Sequence, residues 1–260
     1  MRIASAVLLA CALGVAACGP EPVVQAPAAS MPVPDYYQSR TESGPNGEPL
    51  EIKAVKPAYL RERNVRAQVP YNGPDAPGTI VVDPYARFLY LVEPGGMATR
   101  VGIAVGKAGL GFAGEATIKR KARWPSWTPT ANMVATEPEL YGAVKNGLPG
   151  GLTNPLGPRA LYLYQGNVDT MYRIHGTVDP SSIGKATSAG CIRLFSQDII
   201  DLFDRVPLGT HVKVRTQSES LALEGPLNET PDGYLEPAGA PAAVQASAAP
   251  VVVAGGALPN

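Results

Sequence analysis

The chain has 260 residues, 45% of them apolar, with 28 Gly and 27 Pro and with 22 basic residues balancing 22 acidic ones. That length suffices for one large or two small domains, but the Gly and Pro are so unevenly spread that much of the chain lies outside any core. The neutrality is a cancellation, with 15 Lys/Arg against 10 Asp/Glu in 79–215 and five acidic but no basic residues in 216–260. A mildly basic centre suits a substrate bearing carboxylates, although a surplus of this size is also common on ordinary domains. No Lys/Arg cluster is interleaved with aromatics, which argues against nucleic acid as a partner.

Met1-Arg2 followed by a short apolar run has the charged start and hydrophobic stretch of a secretory signal, too short to span a bilayer comfortably. The run ends in Val15-Ala16-Ala17-Cys18, which resembles a bacterial lipobox. Residues 1–17 are therefore expected to be a lipoprotein signal peptide and Cys18 a lipidated anchor. The resemblance, with Gly19 after the cysteine, points to the periplasmic face of the outer membrane of a Gram-negative bacterium. With Cys11 in the signal and Cys18 lipidated, Cys191 is the one thiol left in the mature part, without a disulfide partner. A lone thiol in an oxidising compartment is a liability, so its retention suggests use, with a buried inert cysteine as the competing reading.

Residues 18–77 are expected to hold the lipidated cysteine and a flexible tether, Pro- and Ala-rich to about 50 and then, over 51–77, an extended lead-in that packs partly on the domain or not at all. From 78 to 216 the pattern is largely β. Strands are expected at 79–82 and 87–92, forming a hairpin about Asp83-Pro84, then at 99–105, 116–121, 160–164, 172–175 and 211–215, with the longest loop over 125–158. One helix is expected from Ser196, taken as its N-cap, with Asp198 in the first turn and Ile199, Leu202, Phe203 and Val206 on one face before Pro207 and Gly209 stop it. Residues 217–260 turn acidic and then Ala/Pro-rich, and are expected to be a disordered tail. The fold class is mostly β, a compact sandwich or barrel with one or two short helices.

The chemistry concentrates in Arg173-Ile174-His175-Gly176-Thr177 and, after Ile183-Gly184, in Ser188-Ala189-Gly190-Cys191-Ile192-Arg193-Leu194. A thiol is mostly protonated at neutral pH and needs a base to become a nucleophile. Of the two histidines, His211 stands beyond the helix at the start of a strand, which leaves His175 as the better partner for Cys191. No zinc-like ligand spacing and no phosphate-binding loop is present, so neither a metal nor another cofactor is expected.

Those two segments, with Arg123-Trp124-Pro125-Ser126-Trp127-Thr128-Pro129 and the run from Asn154 to Leu163, closely resemble the signature of the L,D-transpeptidase catalytic family, also called YkuD-like, over roughly 79–215. The resemblance implies a β-sandwich or barrel of that type and a peptidoglycan enzyme. Cys191 would attack the stem tetrapeptide after its third residue, release D-alanine and pass the acyl group from a thioester to an amine. His175 would be general base and then acid, the Gly176 carbonyl would orient its ring, and backbone N–H groups at Gly190 and Cys191 would stabilise the oxyanion. Ala189 stands where many members have His, and Arg193 where some have Asn. Arg193, Ser188 and Trp127 are the substrate-binding candidates, each with a structural role as alternative: a salt bridge, a turn and core packing. The expected partners are stem peptides, an acceptor amine from a second stem or an outer-membrane protein, and the membrane through the lipid. A carboxypeptidase or endopeptidase using water, and a catalytically idle peptidoglycan-binding module, are the alternatives.

Overall fold

The computed structural model describes residues 32–106, 112–187 and 191–239. Cys18, Ser188, Gly190 and the last 21 residues of the expected tail lie outside them. The described residues fall within one compact unit, 30–243. No helix among them is long and apolar enough to cross a membrane.

Two short strands, β1 (Arg40–Ser43) and β2 (Pro49–Ile52), form an antiparallel hairpin ahead of the main sheet. The main sheet has eleven strands: β3 (Ala67–Pro70), β4 (Ile80–Asp83), β5 (Phe88–Glu93), β6 (Met97–Gly102), β7 (Ala104–Gly106), β8 (Gly114–Arg123), β9 (Arg159–Gln165), β10 (Val168–His175), β11 (Ala186–Thr187), β12 (Ile192–Arg193) and β13 (His211–Val214). Their spatial order is β11-β7-β12-β10-β9-β8-β13-β4-β5-β6-β3. Only Ile103 separates β6 from β7, yet eight strand spacings separate them in that order. In a flat sheet they would lie roughly 40 Å apart at about 4.8 Å per strand, so the sheet must curl back on itself.

The inside of the curl is the main core. Ile80 and Val82 of β4, Leu89 and Leu91 of β5, Ile118 of β8, Leu161 and Leu163 of β9, Ile174 of β10 and Ile192 of β12 meet there. Helix α3 (Ser196–Arg205) closes it with Ile199, Leu202 and Phe203, following the short helices α1 (Ala131–Thr136) and α2 (Pro138–Tyr141) of the long loop. The alternate residues Val81, Phe88, Tyr90 and Val92 face a second cluster with Tyr71, which is why β4 and β5 are apolar almost throughout rather than alternating.

Three expectations are corrected. The N-cap of α3 is Phe195, without a side-chain cap; Ser196 is inside the helix and its hydroxyl donates to the Thr177 carbonyl. The expected flexible tether is packed from its described beginning. Tyr37 is fully buried against Phe195, and its hydroxyl donates to Asp198. Arg66 also pairs with Asp198, and Glu42 of β1 pairs with the buried Arg159. Asn64 wedges between Gly102 and Gly184, where a Cβ would come within 2.7 Å of its Cα and 2.3 Å of its Oδ1 respectively. Its amide donates to the carbonyls of Tyr59 and Ile183. Isolated anchors separated by Pro and Gly carry no period, so composition alone misreads the segment.

The tail is also ordered up to 239. A reciprocal capping box between Thr216 and Glu219 starts α4 (Gln217–Glu224). Glu224 then accepts hydrogen bonds from Tyr90 and Arg215, and the chain ends its described part in the hairpin β14 (Leu227–Glu229) and β15 (Leu235–Pro237).

Candidate active site

The site arises from strand alternation. β12 lies parallel to β10, with Ile174 opposite Ile192 and His175 opposite Arg193. Both isoleucines point into the core, so their neighbours Arg173, His175, Cys191 and Arg193 share the other face. One residue back in that register, Cys191 comes opposite Arg173, whose backbone N–H is hydrogen-bonded to the cysteine. His175 lies two positions further along β10, on the same face. The same two positive charges, Arg173 and Arg193, act on both the ring and the thiol.

His175 is buried, and its Nδ1 lies 2.7 Å from the Gly176 carbonyl oxygen. A carbonyl only accepts, so Nδ1 carries the proton and Nε2 is left with the lone pair. The backbone at Gly176 needs its glycine: a Cβ there would meet Pro158 Cδ at 2.8 Å and Ile199 Cγ2 at 3.2 Å. Gly157 lies against it with φ +65°, where a Cβ would meet Gly176 Cα at 3.1 Å. The second histidine, His211, is exposed on β13 opposite Thr117, beside Glu115 rather than any thiol.

Burial pushes the His175 pKa down to about 4, against the raising effect of the Gly176 carbonyl. Burial pushes the Cys191 thiol up, opposed by the Arg173 N–H and the two guanidiniums. Both groups are therefore neutral near pH 7, and the resting pair is thiol and imidazole rather than thiolate and imidazolium. Cys191 Sγ lies 3.6 Å from the Met171 carbonyl, the alignment of a weak S–H donor. That carbonyl belongs to an irregularity in β10 between Asp169 and Arg173, where Met171 has φ +62° and an exposed side chain. Asp169 holds the bulge by accepting from the Met171 N–H and gripping Arg173 through two hydrogen bonds of 2.7 and 2.9 Å. The Arg173 guanidinium lies 4.3 Å from the Tyr162 ring centroid, and Arg120 lies 4.2 Å from it. Arg120, Tyr162, Arg173 and Cys191 thus form one row across four strands.

Among the other predicted residues, Arg193 has Asp179 as its principal acidic neighbour, and burial lowers its pKa. Trp127 is half-buried, pairs through its backbone with Leu148 and packs 6.0 Å from Tyr141. Trp124, by contrast, is core: it packs with Ile52 and Ile200 and donates its indole N–H to the Ser43 carbonyl. Sequence reasoning missed Asp169, Met171 and Tyr162 as site neighbours. Period-2 alternation back from His175 reaches Arg173, but the bulge that brings the Met171 carbonyl to the thiol has no local signature.

Comparison with known proteins gives this arrangement a lineage. The chain belongs to the YkuD family, the L,D-transpeptidase catalytic domain, whose family model matches residues 77–214. It is 35% identical over 157 residues to the probable L,D-transpeptidase ErfK/SrfK of Escherichia coli, covering 59% of this chain and 47% of that protein. It is 37% identical over 121 residues to the probable L,D-transpeptidase YbiS of the same organism, covering 46% and 36% respectively. The chain thus spans half or less of the length of these curated relatives. A solved structure from Brucella melitensis, described as a probable carnitine operon oxidoreductase, is 54% identical, covering 58% of this chain and 94% of that one, with a TM-score of 0.43.

Proposed function

We propose that this protein is a peptidoglycan L,D-transpeptidase in which Cys191 is the nucleophile and His175 the general base. The reading rests on membership of a catalytic family and on one observation above the rest: the 2.7 Å bond from His175 to the Gly176 carbonyl, which leaves Nε2 as a base on the face that carries Cys191.

Because thiol and ring both start neutral, the proton moves as the bond forms. His175 Nε2 takes the Sγ proton while sulfur attacks the carbonyl carbon of the third stem residue, the one amide-bonded to D-alanine. The carbonyl oxygen becomes an oxyanion, received by backbone N–H groups at Cys191 and Gly190. The intermediate collapses as the imidazolium returns its proton to the departing D-alanine amine, leaving a thioester. An acceptor amine then gives a proton to His175, attacks the thioester and restores the thiol. Arg193, Ser188 and Trp127 are proposed to bind the donor stem, with Arg193 offering a planar fork to a carboxylate.

We infer further that residues 1–17 are a signal peptide and Cys18 a lipid anchor at the outer membrane, on the strength of Val15-Ala16-Ala17-Cys18 followed by Gly19. The full protein, incubated with a purified tetrapeptide stem and an amine acceptor, is expected to release D-alanine and form a new amide, and Cys191→Ala to do neither. Release of D-alanine without the amide would replace transfer by hydrolysis, and no release would end the enzymatic reading.

A further inference from the structure

A cavity of about 430 Å³ lies between three parts of the chain, with neither Cys191 nor His175 in its lining. Its walls are Arg61–Asn64 from the lead-in, the Ala86–Phe88 turn with Arg100 and Gly184 from the family domain, and the Tyr234–Pro237 hairpin. Two of those three segments lie outside the 77–214 match, so the cavity exists because both flanks fold back on the domain.

Four arginines line it. Two are committed to holding the hairpin in place: Arg61 pairs with Asp232 and lies 3.7 Å from the Tyr234 ring centroid, and Arg87 pairs with Glu229 and donates to the carbonyls of Gly184 and Gly233. The other two, Arg63 and Arg100, both have their guanidinium carbon 4.4 Å from the centroid of the Phe88 ring. Neither has a carboxylate of a described residue within 4.0 Å, although Glu62 and Glu236 also line the cavity. Arg63 makes one hydrogen bond, to the Ala86 carbonyl, and Arg100 Nε is buried without a partner. Burial lowers the pKa of Arg63, and the Arg100 charge lowers it further against the raising effect of Glu224 and Asp83. Two guanidiniums that share the Phe88 ring, one of them with a buried unmatched donor, are relieved by an anion with several acceptor oxygens. A phosphate monoester supplies about −1.5 to −2 charge and three such oxygens, where a carboxylate supplies one charge and two oxygens. The volume is that of a small-molecule site and far exceeds one oxyanion, and Leu235 and Pro237 give the remainder an apolar wall.

We propose that this cavity is a second ligand site that takes a small soluble phosphate ester, its phosphoryl group held by Arg63 and Arg100 and its organic body laid against Leu235 and Pro237. The site is independent of the chemistry at Cys191.

The test uses the full chain with sn-glycerol 3-phosphate, inorganic phosphate and glycerol as probes, read by calorimetry and by thermal unfolding. Saturable binding of glycerol 3-phosphate is expected, with inorganic phosphate at least tenfold weaker and glycerol without effect. Arg63→Gln and Arg100→Gln should each weaken binding at least tenfold, and Cys191→Ala should leave it unchanged. No saturable binding, equal binding of inorganic phosphate, or undiminished affinity in both variants overturns the proposal. Should either variant fail to fold, phenylglyoxal modification of the wild-type chain decides: glycerol 3-phosphate must protect Arg63 and Arg100 from the reagent, and modification at an unchanged rate rejects the site.

Discussion

His175 donates its Nδ1–H to the carbonyl of the very next residue, Gly176, at 2.7 Å, and this short-range bond fixes the tautomer of the only histidine on the thiol's face. With burial lowering the ring's pKa to about 4, the base remains available well below the usual histidine range. The acid limb of kcat/KM against pH should therefore fall near 4 rather than 6.5. Alkylation of Cys191 by iodoacetamide should rise only above the ordinary thiol range near 8.5. A rate profile with its acid limb at 6.5 would mean that the ring is solvated in the working enzyme.

The same glycine provides a second prediction. A methyl at Gly176 would press on Pro158 Cδ at 2.8 Å, shifting the carbonyl that holds the ring. Gly176→Ala should lower kcat on the order of 100-fold, the scale of a displacement of about 1 Å at a reacting group. The KM should change much less, and an unchanged thermal transition would separate this effect from a loss of folded enzyme.

Two buried groups oppose each other in the pH dependence of stability. The folded His175 resists protonation that the unfolded ring accepts near 6.5, so its contribution is present above that pH and is lost as the pH falls toward 4. Asp198 runs the other way: burial raises its pKa to about 6 in spite of Arg66 and Tyr37, so the folded chain holds a proton that the unfolded chain releases near 4. Its contribution is present below about 4 and is lost as the pH rises to about 6. Asp198→Asn should therefore gain stability relative to wild type between pH 4 and 6.5. Urea titrations at the two ends of that window would reveal it, and a constant difference would refute it.

The lead-in is held by charge as well as by Tyr37. Arg159 is 1% exposed, and its carboxylate partner is Glu42 of the hairpin ahead of the domain. Glu42→Ala leaves that guanidinium buried and unpaired, at a cost of about 3–5 kcal/mol. Adding Arg159→Met should recover part of the loss. A loss below about 1 kcal/mol would mean that β1 and β2 contribute little to stability.

Gly184 is required twice, by its φ of +87° and by Asn64, whose Oδ1 a Cβ would approach to 2.3 Å. Gly184→Ala should destabilise by about 2 kcal/mol from the backbone alone. Part of any further loss should be relieved by Asn64→Ala, as a double-mutant cycle in urea would measure.

Much of the domain was legible in the residues. Val81-Val82, Leu89-Tyr90-Leu91 and Leu161-Tyr162-Leu163 announce strands, since β-branched and aromatic runs bounded by turn residues have few other uses. The family match bears out the lineage read from the sequence. The lead-in and the residues after 216 were less legible. Tyr37, Ile52, Val55 and Leu60 are single anchors spaced by polar residues, and without a period such anchors look like linker.

The β class and the α3 helix follow from the linear chain alone, as does the expectation of His175 over His211, because periodicity and residue chemistry are local properties. Folding decided the rest: the bulge that brings the Met171 carbonyl to the thiol, the burial that keeps both partners neutral, and the docking of both flanks that encloses a cavity lined by arginines. These depend on the dielectric around a group and on which distant segments share a surface, and neither is encoded at any one position.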